Sequence, residues 1–369
     1  MKTIVKGSDL SNAVLKVVKA VSTKTPNQIL EGIKITCKGD NLILLATDME
    51  IAIEKTIRSE TFMEGEIVVL GRLFAEFVKK LENEDDIELS LCDDGKLKIS
   101  YSQAEGYIQT LSSEDFPVLK KNINQNSFSI KQKEFKDIVN KTTFACSQDD
   151  SRPVLKGCLM EVENDTLSLV ALDGFRLAIC KKTVSDVFGN IKAIIPARAL
   201  LEITRLVENE EDFITVVIQE NSLLVNIDNT VFMTRLLEGS YIDYKKIVPQ
   251  KFDTVFRANK NLLFNAVERA SIVARSIKNR VKFEIKENYL NVTSNSDMGN
   301  ISENVLINLE GRDLNILLNS KYLIDCLRVI DDEFVNFYLN TSISPCVIKP
   351  YAEDDQDYLY LILPLRSES

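Results

Sequence analysis

The sequence predicts an α+β protein made of three tandem repeats, each with two helices and a set of antiparallel strands. Three observations carry this. A segment of roughly 125 residues recurs three times along the 369-residue chain. Each copy opens with an amphipathic helix and carries a second helix near its middle. The strands come in runs between helices rather than alternating singly with them, which separates α+β from α/β.

The first helices show their apolar stripes plainly. Leu10, Val14, Val17 and Val21 recur at helical spacing in the first copy, Phe135, Val139, Thr142 and Cys146 in the second, and Leu263, Val267, Ala270 and Ala274 in the third. Six residues after Leu10, Phe135 and Leu263 stand Lys16, Lys141 and Arg269. At about 100° per residue this position points away from those stripes, so an exposed cation is expected there in all three copies. Strand runs follow at 32–57, 154–181 and 281–307, broken by turn clusters such as Lys38-Gly39-Asp40-Asn41 and Glu163-Asn164-Asp165.

Second helices are expected at 70–81, 196–207 and 320–330, with Pro196 at a helix start, where its missing N–H costs nothing. They share a base–acid–base stripe: Arg72, Glu76, Lys79; Arg198, Glu202, Arg205; Lys321, Asp325, Arg328. That spacing puts all three charges on one helix face. Strands at 87–110, 213–237 and 334–363 close the copies. Polar, aperiodic stretches at 120–126 and 245–251 read as linkers, giving domains at 1–121, 127–246 and 252–369.

Composition excludes several functions. The chain contains no histidine, which removes the commonest general base and metal ligand and every Ser-His-Asp or Cys-His triad. No Gly-rich phosphate loop accompanies the acidic clusters, so a metal-dependent nuclease or phosphatase is disfavoured. No catalytic residue, metal site or cofactor is expected. The seven scattered cysteines form no Cys-x-x-Cys pair and read as reduced core residues. Met1 to Lys6 lacks an apolar signal region and no run is long enough for a membrane span, so a cytoplasmic protein is expected.

A net charge of −10 argues on average against nucleic acid. The acidic runs, however, are segregated: 82–86, 92–95, 208–212, 331–333 and 353–355 lie at helix ends and turns. Six helices with aligned cations, packed with sheet on one side, then present a basic surface on the other. A monomeric protein-binding scaffold without DNA is the rival reading, and the aligned cations speak against it.

At the centre of the chain, a strand pattern at 166–171 meets the turn pair Asp173-Gly174 and resumes at Phe175-Arg176-Leu177-Ala178-Ile179. Ala46-Thr47-Asp48-Met49-Glu50 is its counterpart one repeat earlier. With Asp115-Phe116-Pro117, Gly239-Ser240-Tyr241-Ile242-Asp243-Tyr244 and the terminal Leu363-Pro364-Leu365-Arg366, these motifs resemble the bacterial sliding-clamp family, the β subunit of DNA polymerase III. The resemblance runs the length of the chain.

What it implies is a processivity factor rather than an enzyme. The family's clamp fold forms a head-to-tail homodimer, a six-domain ring with helices lining a hole for double-stranded DNA, bound without regard to sequence. A groove between the second and third domains takes short linear peptides from the polymerase catalytic subunit, clamp loader and repair proteins. Family-matching groove positions are Leu155, Leu172, Gly174, Phe175, Arg176, Leu177, Ile242, Lys246, Ile247, Pro345, Ile362, Leu363, Pro364 and Leu365. Leu172, Phe175 and Ile242 stand where the family often has Thr, His and Pro, which makes the groove more apolar. The chain runs on past Arg366 with Ser367-Glu368-Ser369, a tail expected near that groove.

DNA contacts are expected from Lys24, Arg72, Gln148 and Arg152 by family match, and from Lys79, Lys141, Arg198, Arg205 and Arg269 by repeat position. Pro153-Val154 replaces aromatics found in some relatives, so base stacking is not expected there. The family's ring joint pairs an edge near 101–108 with one near 300–306, sealed by Tyr107, Ile272 and Val273.

Overall fold

The helices form where their apolar stripes have sheet to cover. In the computed structural model, which describes residues 1–119, 126–351 and 357–366, the six helices are α1 (Gly7–Val17), α2 (Gly71–Val78), α3 (Gln132–Thr142), α4 (Ala197–Thr204), α5 (Lys260–Ala274) and α6 (Ser320–Val329). The linker expected at 120–126 therefore lies almost wholly outside the described residues, as do the acidic run at 353–355 and the tail Ser367-Glu368-Ser369. Leu10, Val14 and Val17 of α1 and Leu263, Val267 and Ala270 of α5 are all fully buried. Asn259 caps α5, its Oδ1 accepting from the backbone N–H of Asn261 and Leu262 at 3.1 Å each. Asn319 caps α6 in the same way.

The second helices are shorter than expected. α2 gives way after Val78 to a 3₁₀ turn over Lys79–Leu81, and Pro196 ends the strand Ile191–Pro196 instead of opening α4. Its fixed φ suits both places, and the strand claims it because its partner Gly157 lies directly opposite.

The chain makes two compact units. The first comprises 1–132, 185–189 and 205–236, and the second the remaining described residues. The first holds a 14-stranded sheet and the second a 12-stranded sheet, with every strand pair antiparallel. The boundary cuts through the stretch expected as one middle domain, 127–246. Sheet continuity is the reason, since ladders run across the repeat junctions. In the first unit 51–55 pairs with 230–234, and in the second 176–180 pairs with 358–362.

Besides the strands that end each sheet, two long strands keep an open edge over part of their length. Within Ala104–Leu111, residues 104–109 pair only with 96–101, and pairing to the other side begins at Thr110. Within Gly299–Gly311, residues 299–306 pair only with 289–296, while 307–311 turn to 254–258. Neither 104–109 nor 299–306 has a second ladder among the described residues.

All seven cysteines are free thiols, and all but Cys92 are buried. Among the described residues no group of three or more Cys, Asp or Glu is placed to hold a metal ion, and no helix is long and apolar enough to cross a membrane. The core of the second unit is aromatic at its centre. Phe256 and Phe337 stack with centroids 4.6 Å apart, and Phe283 packs on Phe337 at 6.2 Å. Phe337→Ala removes a fully buried ring that touches two others. It should cost about 3–5 kcal/mol, read as a lower urea midpoint in near-ultraviolet circular dichroism.

Candidate peptide groove and basic helical faces

The groove residues assemble in the second unit around the turn at Asp173. Its Oδ1 accepts from the N–H of Phe175 (2.9 Å) and of Arg176 (3.0 Å), which closes the corner between strands Thr166–Leu172 and Arg176–Thr183. Gly174 sits at φ +93°, a backbone conformation that a side chain would strain. The corner thereby pushes Phe175 outward, and its ring is 61% exposed.

Below it lies a closed apolar floor. Leu155, Leu172 and Leu177 are each 2% exposed and pack with Val347, Leu361 and Tyr244. Val154, Tyr241, Ile247 and Leu363 lean on this cluster half-buried. Tyr241 donates from its hydroxyl to the carbonyls of Val170 (3.2 Å) and Gly157 (3.3 Å), and burial pushes its pKa up. The chain's last strand, Tyr358–Ile362, pairs with Arg176–Cys180. The Leu363 N–H then donates to Phe175 O at 2.8 Å, and the Leu365 N–H to Leu317 O at 2.8 Å. These bonds hold Leu363, Pro364 and Leu365 half-buried beside the turn, with Pro345 and the exposed Ile242 also at the surface.

Three expected groove residues are placed differently. Ile362 is fully enclosed, because the sheet is covered on both faces at that strand, and it offers nothing to a ligand. Arg176 is buried and committed to the protein. Its Nε donates to Asp173 Oδ2 (3.0 Å), Nη1 to Asp325 Oδ2 (2.7 Å) and Nη2 to Phe144 O (2.7 Å), while its guanidinium lies 4.4 Å from the Tyr322 ring centroid. It pins the turn to α6. Lys246 is almost fully exposed and paired with Asp243 at 2.9 Å. The stretch expected as a second linker also packs. Tyr244 is buried and donates to Glu161 Oε1 (2.5 Å), and Ile247 and Val248 lean on the apolar floor.

The basic positions divide. Lys24, Arg72, Lys79, Gln148, Arg152, Arg198 and Arg205 are exposed. Of the aligned cations on the first helices, only Arg269 meets that expectation, and it forks onto Glu303 through two 2.6 Å bonds. Lys16 is 11% exposed and paired with Glu208 at 2.7 Å, which holds that carboxyl below its ordinary pKa. Lys141 is buried beside Asp137 (3.3 Å), a carboxylate shared with Lys182 (2.7 Å). The reason is Ile138. It joins the buried stripe of α3 and lies about 60° from Lys141 round the helix axis, so the covered face reaches the lysine.

At the open edges, Tyr107 is 53% and Ile272 64% exposed, and Val273 is half-buried. Leu306, 79% exposed and missed in the sequence, stands on the same strand as one open edge. Its signal was an apolar residue facing outward in an otherwise alternating strand. Asp325 and Tyr322 were also missed as partners of Arg176, since the i, i+4 stripe on α6 reads as solvated.

Known proteins match along the whole length. The family models for the N-terminal, central and C-terminal domains of the DNA polymerase III beta subunit match residues 1–120, 129–243 and 245–366. A beta sliding clamp of Staphylococcus epidermidis is 31% identical over all of both chains, and one of Staphylococcus aureus is 32% identical over 95% of each. The crystal structure of the DNA polymerase sliding clamp from Bacillus subtilis superposes with a TM-score of 0.95 at 29% identity, covering 100% of this chain and 99% of that one. With all three domain models matched in order, this chain belongs to the DNA polymerase III beta subunit family.

Proposed function

We propose that the chain is a DNA sliding clamp: a non-catalytic tether whose two copies close head to tail round duplex DNA and hold a polymerase through the groove at Phe175. Three clamp domains at 1–121, 127–246 and 252–369 are part of this reading. The observation that carries it is the pattern of strand joints. Within the chain, the strand after each central turn pairs with the closing strand of the next repeat, at 51–55 with 230–234 and at 176–180 with 358–362. Of the strands in this pattern, the third turn strand, 299–306, and the first closing strand, 104–109, are left without such a partner. A second copy supplies each with the missing partner, which is a heterologous contact that closes on itself.

The in-chain joints also give the register. The hairpins Lys38↔Asn41, Glu163↔Thr166 and Lys286↔Tyr289 align the three turn strands, and Tyr101↔Ala104 aligns with Ile227↔Thr230. Carried over, Ala104 falls opposite Glu303 of a second copy and Ile108 opposite Gly299. Tyr107, Ile272 and Leu306 then gain cover, which supports an apolar seal.

DNA would be held by charge on the helical faces, Arg72 and Lys79, Arg198 and Arg205, with Lys24 and Arg152 on loops and Gln148 adding a neutral hydrogen-bond donor. Such contacts grip the phosphate backbone without reading bases. The deciding experiment measures native mass and retention on circular plasmid before and after linearisation. Dimer mass with retention lost on cutting is expected; a monomer, or retention indifferent to cutting, overturns the reading.

Two further outcomes follow from named residues. Ile272→Ala with Val273→Ala removes apolar cover worth a few kcal/mol per joint, about 25 cal/mol per Å². Sedimentation at micromolar concentration should then show monomer, and an unchanged dimer would place the joint elsewhere. At the groove, a short peptide with a leading Gln and trailing Leu and Phe should bind at roughly micromolar affinity, about −8 kcal/mol. Phe175→Ala should weaken it about tenfold while leaving thermal stability unchanged, because the ring is mostly in solvent. Undiminished titration of a labelled peptide would mean the groove is misplaced.

A further inference from the structure

A crevice of about 290 Å³ lies between α5, with the turn that follows it, and α6. Its walls carry three cations, Arg275, Lys321 and Arg328, all exposed and none with an ion-pair partner among the described residues. Two carboxylates share the walls, Glu268 and Asp325. They are not equivalent. Asp325 is engaged from behind by Arg176 at 2.7 Å, an ion pair whose side chains are only 8% and 21% exposed, although Asp173 shares the same guanidinium. Without that pairing Asp325 would stand four residues after Lys321 and three before Arg328, the spacings at which helix charges pair. Arg176 thereby draws Asp325 away from both cations, leaving three cations against Glu268 and a partly compensated Asp325. The wall also holds Ser320, whose hydroxyl is buried without a hydrogen-bond partner, a rare condition in a folded protein. Ser271, by contrast, spends its hydroxyl on Glu268 O at 2.6 Å.

We infer that this crevice seats one phosphodiester group of a nucleic-acid strand, held by the guanidinium forks of Arg275 and Arg328 with Lys321 beside them. Guanidinium matches phosphate oxygens two at a time, which a lone surface lysine does not. The inference rests on the DNA reading above; it adds Arg275, which neither repeat alignment nor family match put forward, and gives Lys321 and Arg328 of the third helix stripe a specific task.

The test uses the full chain and a short duplex, with affinity measured against salt. Arg275→Gln with Arg328→Gln should lower the magnitude of the log–log salt slope by about one and weaken binding about fivefold to tenfold at low salt. Lys192→Gln with Lys251→Gln removes two charges from exposed positions outside the crevice and should change neither. If the crevice variant behaves like this control while Arg198→Gln with Arg205→Gln loses affinity, the seat is overturned and the DNA reading stands. If all three variants match wild type, the DNA reading falls with it. Inorganic phosphate at constant ionic strength forms the other arm. Phosphorus line broadening that the crevice variant abolishes, with duplex binding untouched, would make the ligand a free anion and overturn the phosphodiester assignment.

Discussion

Antiparallel edge pairing is the constraint on which this architecture depends. A strand edge presents a row of unpaired N–H and C=O groups, and leaving it bare invites uncontrolled pairing. Each repeat here offers two edges for pairing across repeats, on the strand after its central turn and on its closing strand. The chain resolves four of those six edges by itself, through the ladders at 51–55 with 230–234 and 176–180 with 358–362. In each, one further backbone bond extends the ladder past the strand end, from Arg235 N–H to Glu50 O and from Leu363 N–H to Phe175 O. The same bond in the same place argues that the joints are one device used twice. The two remaining edges bear Tyr107 and Leu306 in solvent, the kind of apolar exposure a permanent monomer avoids.

The second joint does more than continue a sheet. Arg176 opens one of its strands and is also the residue that holds the Asp173 turn in shape. A buried guanidinium is expensive unless every donor is met and its charge is balanced. Asp173, Asp325 and the Phe144 carbonyl take one bond from each of its three nitrogens, and Tyr322 covers a flat face. A lysine would supply charge without the planar fork and could not reach three acceptors in one plane. The turn that displays Phe175 is thus rigid because one side chain is satisfied by residues of β-corner, helix and loop together. Arg176→Met would leave two carboxylates uncompensated, so the residue is structural although family resemblance places it among ligand contacts.

Much of this was legible in the sequence, and the failures have common causes. The threefold repeat and both helices of each copy follow from periodicity and turn chemistry, which are local, whereas the return of the last strand beside the Asp173 turn is implied by the family resemblance alone. Where strands pair across repeats is not local. No spacing near 230–235 announces a partner at 51–55, so the sequence does not show that the strands of 127–246 are divided between two sheets. Lys141 fails for another reason. Four apolar positions defined the α3 stripe, and Ile138 widened it enough to take the lysine inside with Asp137. Ile362 fails because alternation locates a surface residue only where one sheet face is open, and here Leu361 and Ile362 are both buried.

The charge distribution ties these corrections to the proposed function. The chain carries ten more carboxylates than cations, yet the cations of the first helices are mostly spent internally, Lys16 on Glu208, Lys141 on Asp137 and Arg269 on Glu303. The second helices and nearby loops carry theirs on exposed residues. A protein that must move along DNA is served by this division. Phosphates recur at even spacing, so a few solvated cations, each contributing weakly in water, give nearly the same energy at every position and raise little barrier between them. Cations buried in ion pairs serve the fold instead and cannot be recruited to grip harder. A crevice holding one phosphate is the exception that would create a preferred register along the strand. With Glu268 on its rim opposing the three cations, the crevice grips less than its basic residues alone imply, which keeps that preference shallow enough for movement to continue.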